Sequence, residues 1–496
     1  MKPVLTAAQM RESEQRFFAA GESSLALMER AAKALADELT ALMPEGGTCA
    51  FACGKGGNGG DGYAAARLLA KRGVRCVVVE CGLPKHADAL TNRELAKDAV
   101  FALTDSRCLD TLPCPAVWAD CVFGTGLKSA PEGEFAKLIR RMNADRARGT
   151  RVVSCDIPSG LSSDTGEILG ECVRADVTVT FQYLKRGHLL GRGPDVCGDV
   201  RVRDIGLPDA VLPNDYMRLI EDADALSALP ARPRTAHKND FGHLLVFAGS
   251  RGMAGAAVLC VRAALRMGAG LVTAACPASI TDIVQISAPS AMCVPLAEEN
   301  GHVSDAALDT LLSALKGKTA IAAGPGLSRG ASVKCLKAVL ESALPAVLDA
   351  DALNIISARA ELKQLLSARH ALTPHPGECA RLTGQTGLDS VTYTQKISRL
   401  GANVLVKGAS SVIEGEGLFV SASGCVGMAK GGSGDVLTGM TGALLAQGVE
   451  PETALWTASQ LHGRAGELAQ SMHGAVSMLP QDIIECIGRA INDADA

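Results

Sequence analysis

The chain has 496 residues, 47% hydrophobic and 21% charged, which calls for a folded protein of two or more domains and excludes a disordered one. Its formal net charge is −4 with no basic block, so neither nucleic acid nor an acidic membrane surface is an expected partner. No apolar run is long enough to cross a bilayer, Met1 to Arg11 lacks a secretory pattern, and the 17 cysteines include no Cys-x-x-Cys pair, so reduced thiols, no zinc site and a cytoplasmic location are expected.

The first segments spell a doubly wound sheet. Leu25, Met28, Ala32, Leu35, Leu39 and Leu42 repeat at three- and four-residue steps, one face of a helix started by Ser23 or Ser24. Thr48–Cys53 reads as a buried strand and Gly62–Arg72 as a helix. Between them runs Gly54-Lys55-Gly56-Gly57-Asn58-Gly59-Gly60-Asp61-Gly62, whose glycines let the main chain approach a ligand before a phosphate-favouring helix start. A flexible loop is the plainer alternative. Further strands are expected over Arg75–Glu80, Val117–Val122, Arg151–Cys155 and Val177–Phe181, with a helix over Phe135–Asn143. Asp120 and Asp156 then fall near the C-terminal ends of strands, the ligand-binding edge of an open parallel sheet, unless each only caps a turn. Lys185 and Arg186, after the fifth strand, could touch a phosphate or be solvated charges.

Residues 222–240 lose the strand–helix rhythm, and Pro230-Ala231-Arg232-Pro233-Arg234 suits a linker, which divides the chain into 1–220 and 221–496. A second α/β series follows. His243–Gly249, Gly270–Cys276, Thr319–Ala323, Ala346–Leu348, Ala371–Leu372 and Asn403–Val406 read as strands, each ending in a polar or glycine loop. Helices are expected over Ala254–Met267, Thr453–Ala469 and Pro480–Ile491. Ala429-Lys430-Gly431-Gly432-Ser433-Gly434-Asp435 opens another helix-like run. Its unpaired N–H groups suit a phosphate, and a carboxylate there makes sense if it deprotonates a hydroxyl that attacks a phosphoryl group. A glycine cap followed by an N-capping aspartate gives the same pattern.

The first half resembles the YjeF N-terminal family of NAD(P)H-hydrate epimerases through Gly57-Asn58-Gly59-Gly60-Asp61-Gly62, Phe123-Gly124-Thr125-Gly126-Leu127 and Asp156-Ile157-Pro158-Ser159-Gly160-Leu161. The second half resembles the ribokinase-like NAD(P)H-hydrate dehydratases through Ala248-Gly249-Ser250, Gly324-Pro325-Gly326-Leu327, Asp349-Ala350-Asp351, His375-Pro376-Gly377-Glu378 and Gly431-Gly432-Ser433-Gly434-Asp435. The resemblance implies a Rossmann-like α/β domain followed by a ribokinase-like one. It implies epimerisation of R and S NAD(P)H-hydrate in the first and dehydration of the S form, with ADP or ATP as phosphoryl donor, in the second. Asn58, Asp120 and Ser159 would hold K+. Asn58, Gly59, Gly60, Asp61 and Gly62, with Gly124, Thr125, Gly126, Leu127, Lys128, Ser129, Ala130 and Asp156, would line the hydrated dinucleotide. Ala256, Gly326, His375 and Asp435 would contact the hydrate in the second half. Lys407, Gly408, Ala409, Ser410, Ser411 and Gly434 would hold the nucleotide, accompanied by Mg2+, and a homo-oligomer is expected. Ser129 departs from the glycine common at its position.

On this reading Asp435 is the catalytic base of the dehydratase, and Asp156 or Asp61 moves the proton in the epimerase. The competing reading is a ribokinase-like kinase of a vitamin or sugar alcohol with a ligand-binding N-terminal module, because the same glycine–aspartate apparatus phosphorylates many hydroxyls.

Overall fold

The computed structural model describes residues 1–98, 100 and 102–492. They form two compact units, one of Pro3–Met217 and one of Met1–Lys2 with Arg218–Ala496. The first carries β1 (Lys2–Leu5), β2 (Thr48–Cys53), β3 (Arg75–Glu80), β4 (Ala102–Asp105), β5 (Val117–Cys121), β6 (Arg151–Cys155), β7 (Val177–Phe181), β8 (Leu184–Lys185) and β9 (Asp199–Arg203). Seven strands pair in parallel in the order β4-β3-β2-β5-β6-β7-β9. Both faces are covered: Cys49, Phe51 and Cys53 of β2 enter one apolar cluster, Ala50 and Ala52 another. The strand order reverses between β2 and β5, so the loops leaving these strands diverge and open a crevice.

The second unit carries β10 (Met217–Leu219), β11 (His243–Phe247), β12 (Leu271–Pro277), β13 (Met292–Leu296), the hairpin β14 (Glu298–Glu299) and β15 (His302–Val303), β16 (Ala320–Ala323), β17 (Ala346–Leu348), β18 (His370–Leu372), β19 (Asn403–Val406), β20 (Ser411–Glu414) and β21 (Leu418–Ser421). The run β13-β12-β11-β16-β17-β18-β19 is parallel, and β20 and β21 extend it antiparallel. Leu244 and Val246 face one core cluster, Leu245 and Phe247 the other. The helix Ser433–Ala446 lies in the first of these clusters. A β-carbon at Gly439 would lie 2.2 Å from the Cys260 carbonyl oxygen, so this helix meets Ala254–Arg266 backbone to backbone.

Several elements differ from expectation. The helix expected from Gly62 starts at Gly57 and runs to Lys71, taking up most of the predicted glycine loop. Close packing explains the glycines better than flexibility does. A β-carbon at Gly59 would lie 2.0 Å from the Gly54 oxygen, and one at Gly54 would lie 2.0 Å from the Val122 oxygen. The helix Ser24–Leu42 buries Leu27, Ala31 and Leu35, while Leu25 is exposed. A short helix, Asp222–Ser227, occupies part of the expected linker. The N-terminal strand β1 and the helix Ala7–Ala19 carry no periodicity strong enough to announce them.

Gly59→Ala is expected to cost about 1–3 kcal/mol by forcing backbone apart. Gly57→Ala, where an added β-carbon meets nothing within 4 Å, should stay within about 0.5 kcal/mol of the parent. Denaturant unfolding of the two variants checks both.

Candidate active sites

In the first unit the loops after β2 and β5 border a cavity of about 790 Å³. Asn58, Asp61, Gly124, Thr125, Gly126, Leu127 and Asp156 line it. Gly59, Gly60 and Gly62 are buried in the helix beneath, where they serve packing. Lys128, Ser129 and Ala130 are exposed and do not line the cavity. Asp120 and Ser159 lie fully buried behind it. Asp120 accepts from the Ser159 hydroxyl at 2.6 Å, the Ser159 N–H at 2.8 Å, the Ser154 hydroxyl at 2.9 Å and the Val122 N–H at 3.3 Å. Burial raises its carboxyl pKa, with these donors pulling the other way. The amide Nδ2 of Asn58 is buried without a hydrogen-bond partner.

Asp156 is held in the left-handed region at φ 65°. Lys185 Nζ lies 2.5 Å from its carboxylate and also donates to Thr180 Oγ1 at 2.9 Å and to the Phe181 carbonyl at 3.1 Å. Burial pushes the Asp156 carboxyl up, but the Lys185 charge and hydrogen bond and the Thr180 hydroxyl hold it below its ordinary range. Beside it, His188 Nε2 donates to the Asp156 carbonyl at 2.8 Å and Nδ1 accepts from the Lys185 N–H at 3.1 Å. Burial lowers the ring pKa to about 4, so this tautomer is neutral at physiological pH. Asp61 is pushed well above its ordinary range, first by burial and then by the Asp156 charge. The sequence left Lys185 between a phosphate contact and a solvated charge. It is 1% exposed and is the counter-ion of Asp156.

In the second unit the loops after β11 and β16 meet at the strand-order reversal: the Gly249 N–H donates to the Pro325 carbonyl at 2.8 Å, and Ser250 Oγ donates to the Gly326 carbonyl at 2.8 Å. Gly326, at φ 59°, packs on Ala256. The loops after β17 and β19 bring Asp349 and Lys407 into an ion pair of 2.7 Å, and Thr438 Oγ1 donates to the other Asp349 oxygen at 2.7 Å. Gly432, at φ 103°, turns the chain into the helix Ser433–Ala446, with Asp435 in its first turn. A β-carbon at Gly434 would lie 3.2 Å from Lys407 Nζ, so the cradle and the lysine adjoin. Burial raises Asp435 to about 7, aided by the Asp349 charge and opposed by Lys407. His375 caps the helix Pro376–Thr383, accepting the Gly377 N–H on Nδ1 at 2.9 Å, while Glu378 accepts the His375 N–H at 2.9 Å. Burial raises Glu378 to about 7. Ser410 is buried, whereas Gly408 and Ala409 are exposed beside it. Thr438 and the counter-ion role of Asp349 escaped the sequence, although Asp349 ends a strand-like run. Among the described residues no group of His, Cys, Asp and Glu could hold a metal ion by itself. None of their helices is long and apolar enough to cross a membrane.

A Rossmann-like unit with a cavity at its strand-order reversal and a second α/β unit with a raised carboxyl at a helix N-terminus define a two-domain enzyme with a ribokinase-like half. Residues 24–187 match the family profile described as YjeF-related protein N-terminus, and residues 244–489 match the one described as NAD(P)H-hydrate dehydratase. The bifunctional NAD(P)H-hydrate repair enzyme of Moorella thermoacetica is 38% identical over 87% of this chain and 85% of its own. The enzyme of that name from Coxiella burnetii is 34% identical over 98% of both chains, and that from Escherichia coli is 32% identical over 94% and 89%. A solved ADP/ATP-dependent NAD(P)H-hydrate dehydratase from Bacillus subtilis, co-crystallised with ATP/Mg2+, shares 28% identity over 56% of this chain and 98% of its own, at a TM-score of 0.48. The chain belongs to the family of bifunctional NAD(P)H-hydrate repair enzymes, with an epimerase and a dehydratase activity.

Lys185→Met should leave the Asp156 carboxylate buried and unpaired, at a cost of about 3–5 kcal/mol at neutral pH. In the parent the Asp156 carboxyl is held below its unfolded pKa, so its stabilisation is present above about pH 4 and is lost as pH falls through the folded value. The gap between the variant and the parent should therefore narrow in acid. Unfolding titrations at two pH values measure it.

Proposed function

We propose that the first unit interconverts R and S NAD(P)H-hydrate and that the second dehydrates the S form at the expense of ADP, giving AMP and phosphate. The observation that carries this is Asp435, a carboxyl raised to about 7 in the first turn of the cradle helix, beside the Lys407–Asp349 pair. Asp435 takes the proton of the substrate hydroxyl as its oxygen attacks the terminal phosphoryl group, and the cradle N–H groups hold the developing charge. The ring nitrogen then pushes out phosphate with the C–O bonding pair, and loss of a proton from the neighbouring ring carbon restores NAD(P)H. A poor leaving group has become a good one. Ala256, Gly326 and His375 face the hydrate, while Lys407 to Ser411 and Gly434 hold the nucleotide. Mg2+ bound with the nucleotide would neutralise phosphate charge.

In the first unit Asp61 retains a proton and Asp156 stays ionised, because one is raised by burial and by neighbouring carboxyls and the other is paired to Lys185. Asp61 protonates the departing hydroxyl, and Asp156 opposes the positive charge left on the ring. Asn58, Asp120 and Ser159 fit a potassium ion. The fully buried Asp120 carboxylate takes hydrogen bonds from hydroxyl and N–H groups, with no basic side chain among those partners. K+ there would neutralise that charge beside the cavity. The cytoplasm fits the cysteines, which form no disulfide among the described residues.

Turnover of hydrated NADH with ADP and with ATP in parallel tests the reading. Free phosphate and restored NADH absorbance are expected, with ADP the better donor, whereas a stable phosphorylated product would establish the kinase. Asp435→Asn should lower turnover about 10²–10⁴-fold. Since the base must be ionised, the parent rate should climb with pH through about 7, and this rise should vanish in the variant.

A further inference from the structure

The helix Ala7–Ala19 precedes the residues matched by either family profile, yet one face of it borders the epimerase cavity. Met10, Arg11, Glu14 and Phe18, spaced for one side of a helix, share that cavity with Asp61, Asp156 and Lys185. Glu14 brings a third carboxyl to the site, and the charges that oppose its own there are those of Lys185 and Arg11. The chemistry leaves a place for it. Inverting a carbinol carbon by loss and return of its hydroxyl needs two proton transfers. On departure the C–O pair goes to oxygen, a proton makes it water, and the ring-nitrogen lone pair closes a C=N bond. On return a water oxygen attacks the other face, the C=N pair goes back to nitrogen, and the water gives up a proton. Asp61 can supply the first proton. Asp156 is a poor acceptor for the second, since its carboxylate is committed to Lys185 and Thr180.

We propose that Glu14 is the second proton carrier of this site, taking the proton of the incoming water while Asp61 gives one to the departing hydroxyl. The proposal rests on the epimerase reading of this unit. In each turnover the single proton passes from Asp61 to Glu14, and before the next turnover of the same epimer Glu14 returns it to Asp61 by way of water, so atoms and charge balance without another reactant. Burial raises the Glu14 carboxyl pKa, with Lys185 and Arg11 opposing and Asp156 adding to the rise, and Glu14 lies within the electrostatic reach of Asp61. Such a group is a better proton acceptor than Asp156.

The test follows interconversion of purified R hydrate, without nucleotide, by the parent, Glu14→Gln, Glu14→Asp and Asp61→Asn. Glu14→Gln keeps the shape and hydrogen-bonding capacity, so a merely structural Glu14 would survive it. Interconversion is expected to fall about 100-fold, with an unchanged unfolding midpoint and partial recovery in Glu14→Asp. The parent rate should rise with pH as Glu14 ionises in the field of Lys185, Arg11, Asp156 and Asp61, and that rise should be absent in Glu14→Gln. A Glu14→Gln enzyme with the parent rate and pH profile overturns the proposal. If Asp61→Asn is inactive in that same experiment, the epimerase reading stands and Glu14 alone falls. A parent that does not interconvert the epimers sinks both.

Discussion

In each half of this chain one lysine is paired with an aspartate at the site. Lys185 binds Asp156 and Lys407 binds Asp349, in both cases at the C-terminal end of a parallel strand. Removing a carboxylate from water is costly, and only a close cation or several donors make it tolerable. With the lysine paired to one aspartate, the next carboxyl feels that aspartate's charge and only a partly opposing lysine. Asp61 and Asp435 are therefore both raised, by burial first and the neighbouring aspartate second. The same arrangement thus raises one carboxyl in each unit, Asp61 in the first and Asp435, to about 7, in the second.

The sheets explain why these groups meet. Parallel strands all deliver their C-terminal ends to one edge, and the reversals between β2 and β5 and between β11 and β16 part the loops there. Backbone contact then fixes the loops in place. Gly54 and Gly59 bring the helix Gly57–Lys71 against the loop after β5, and Gly324 sits so close to the Asp349 carbonyl that a β-carbon would come within 1.8 Å of its oxygen. The glycines of both sites thus set the distances between strands' ends.

Much of this could be read from the residues. The strands appear in the sequence because buried parallel strands are short apolar runs, and Asp156 and Asp435 were visible because glycine-rich turns flank them. The start of the helix at Gly57 was hidden, since a nine-residue stretch of six glycines with one lysine, one asparagine and one aspartate has little helical propensity, and contact with Cys121, Val122 and Met28 holds that conformation. Lys185 could not be assigned because a lysine's burial depends on a carboxylate 29 residues away in sequence. Thr438 sits in a run whose fourteen residues are nearly all apolar or small, so nothing in the spacing marks its hydroxyl as the partner of a distant aspartate. Glu14 lies on a helix of weak amphipathic character, and it gains meaning only from the cavity wall that the fold builds around it.

Both units are stretches of one polypeptide. Every ribosomal product therefore delivers the two activities in equal copy number, whatever the strength of its promoter or the life of its message. Separate chains would need matched expression to avoid a surplus of one stereoisomer. Here that matching is a property of covalent connection, and a change in gene dosage scales both halves of the repair together.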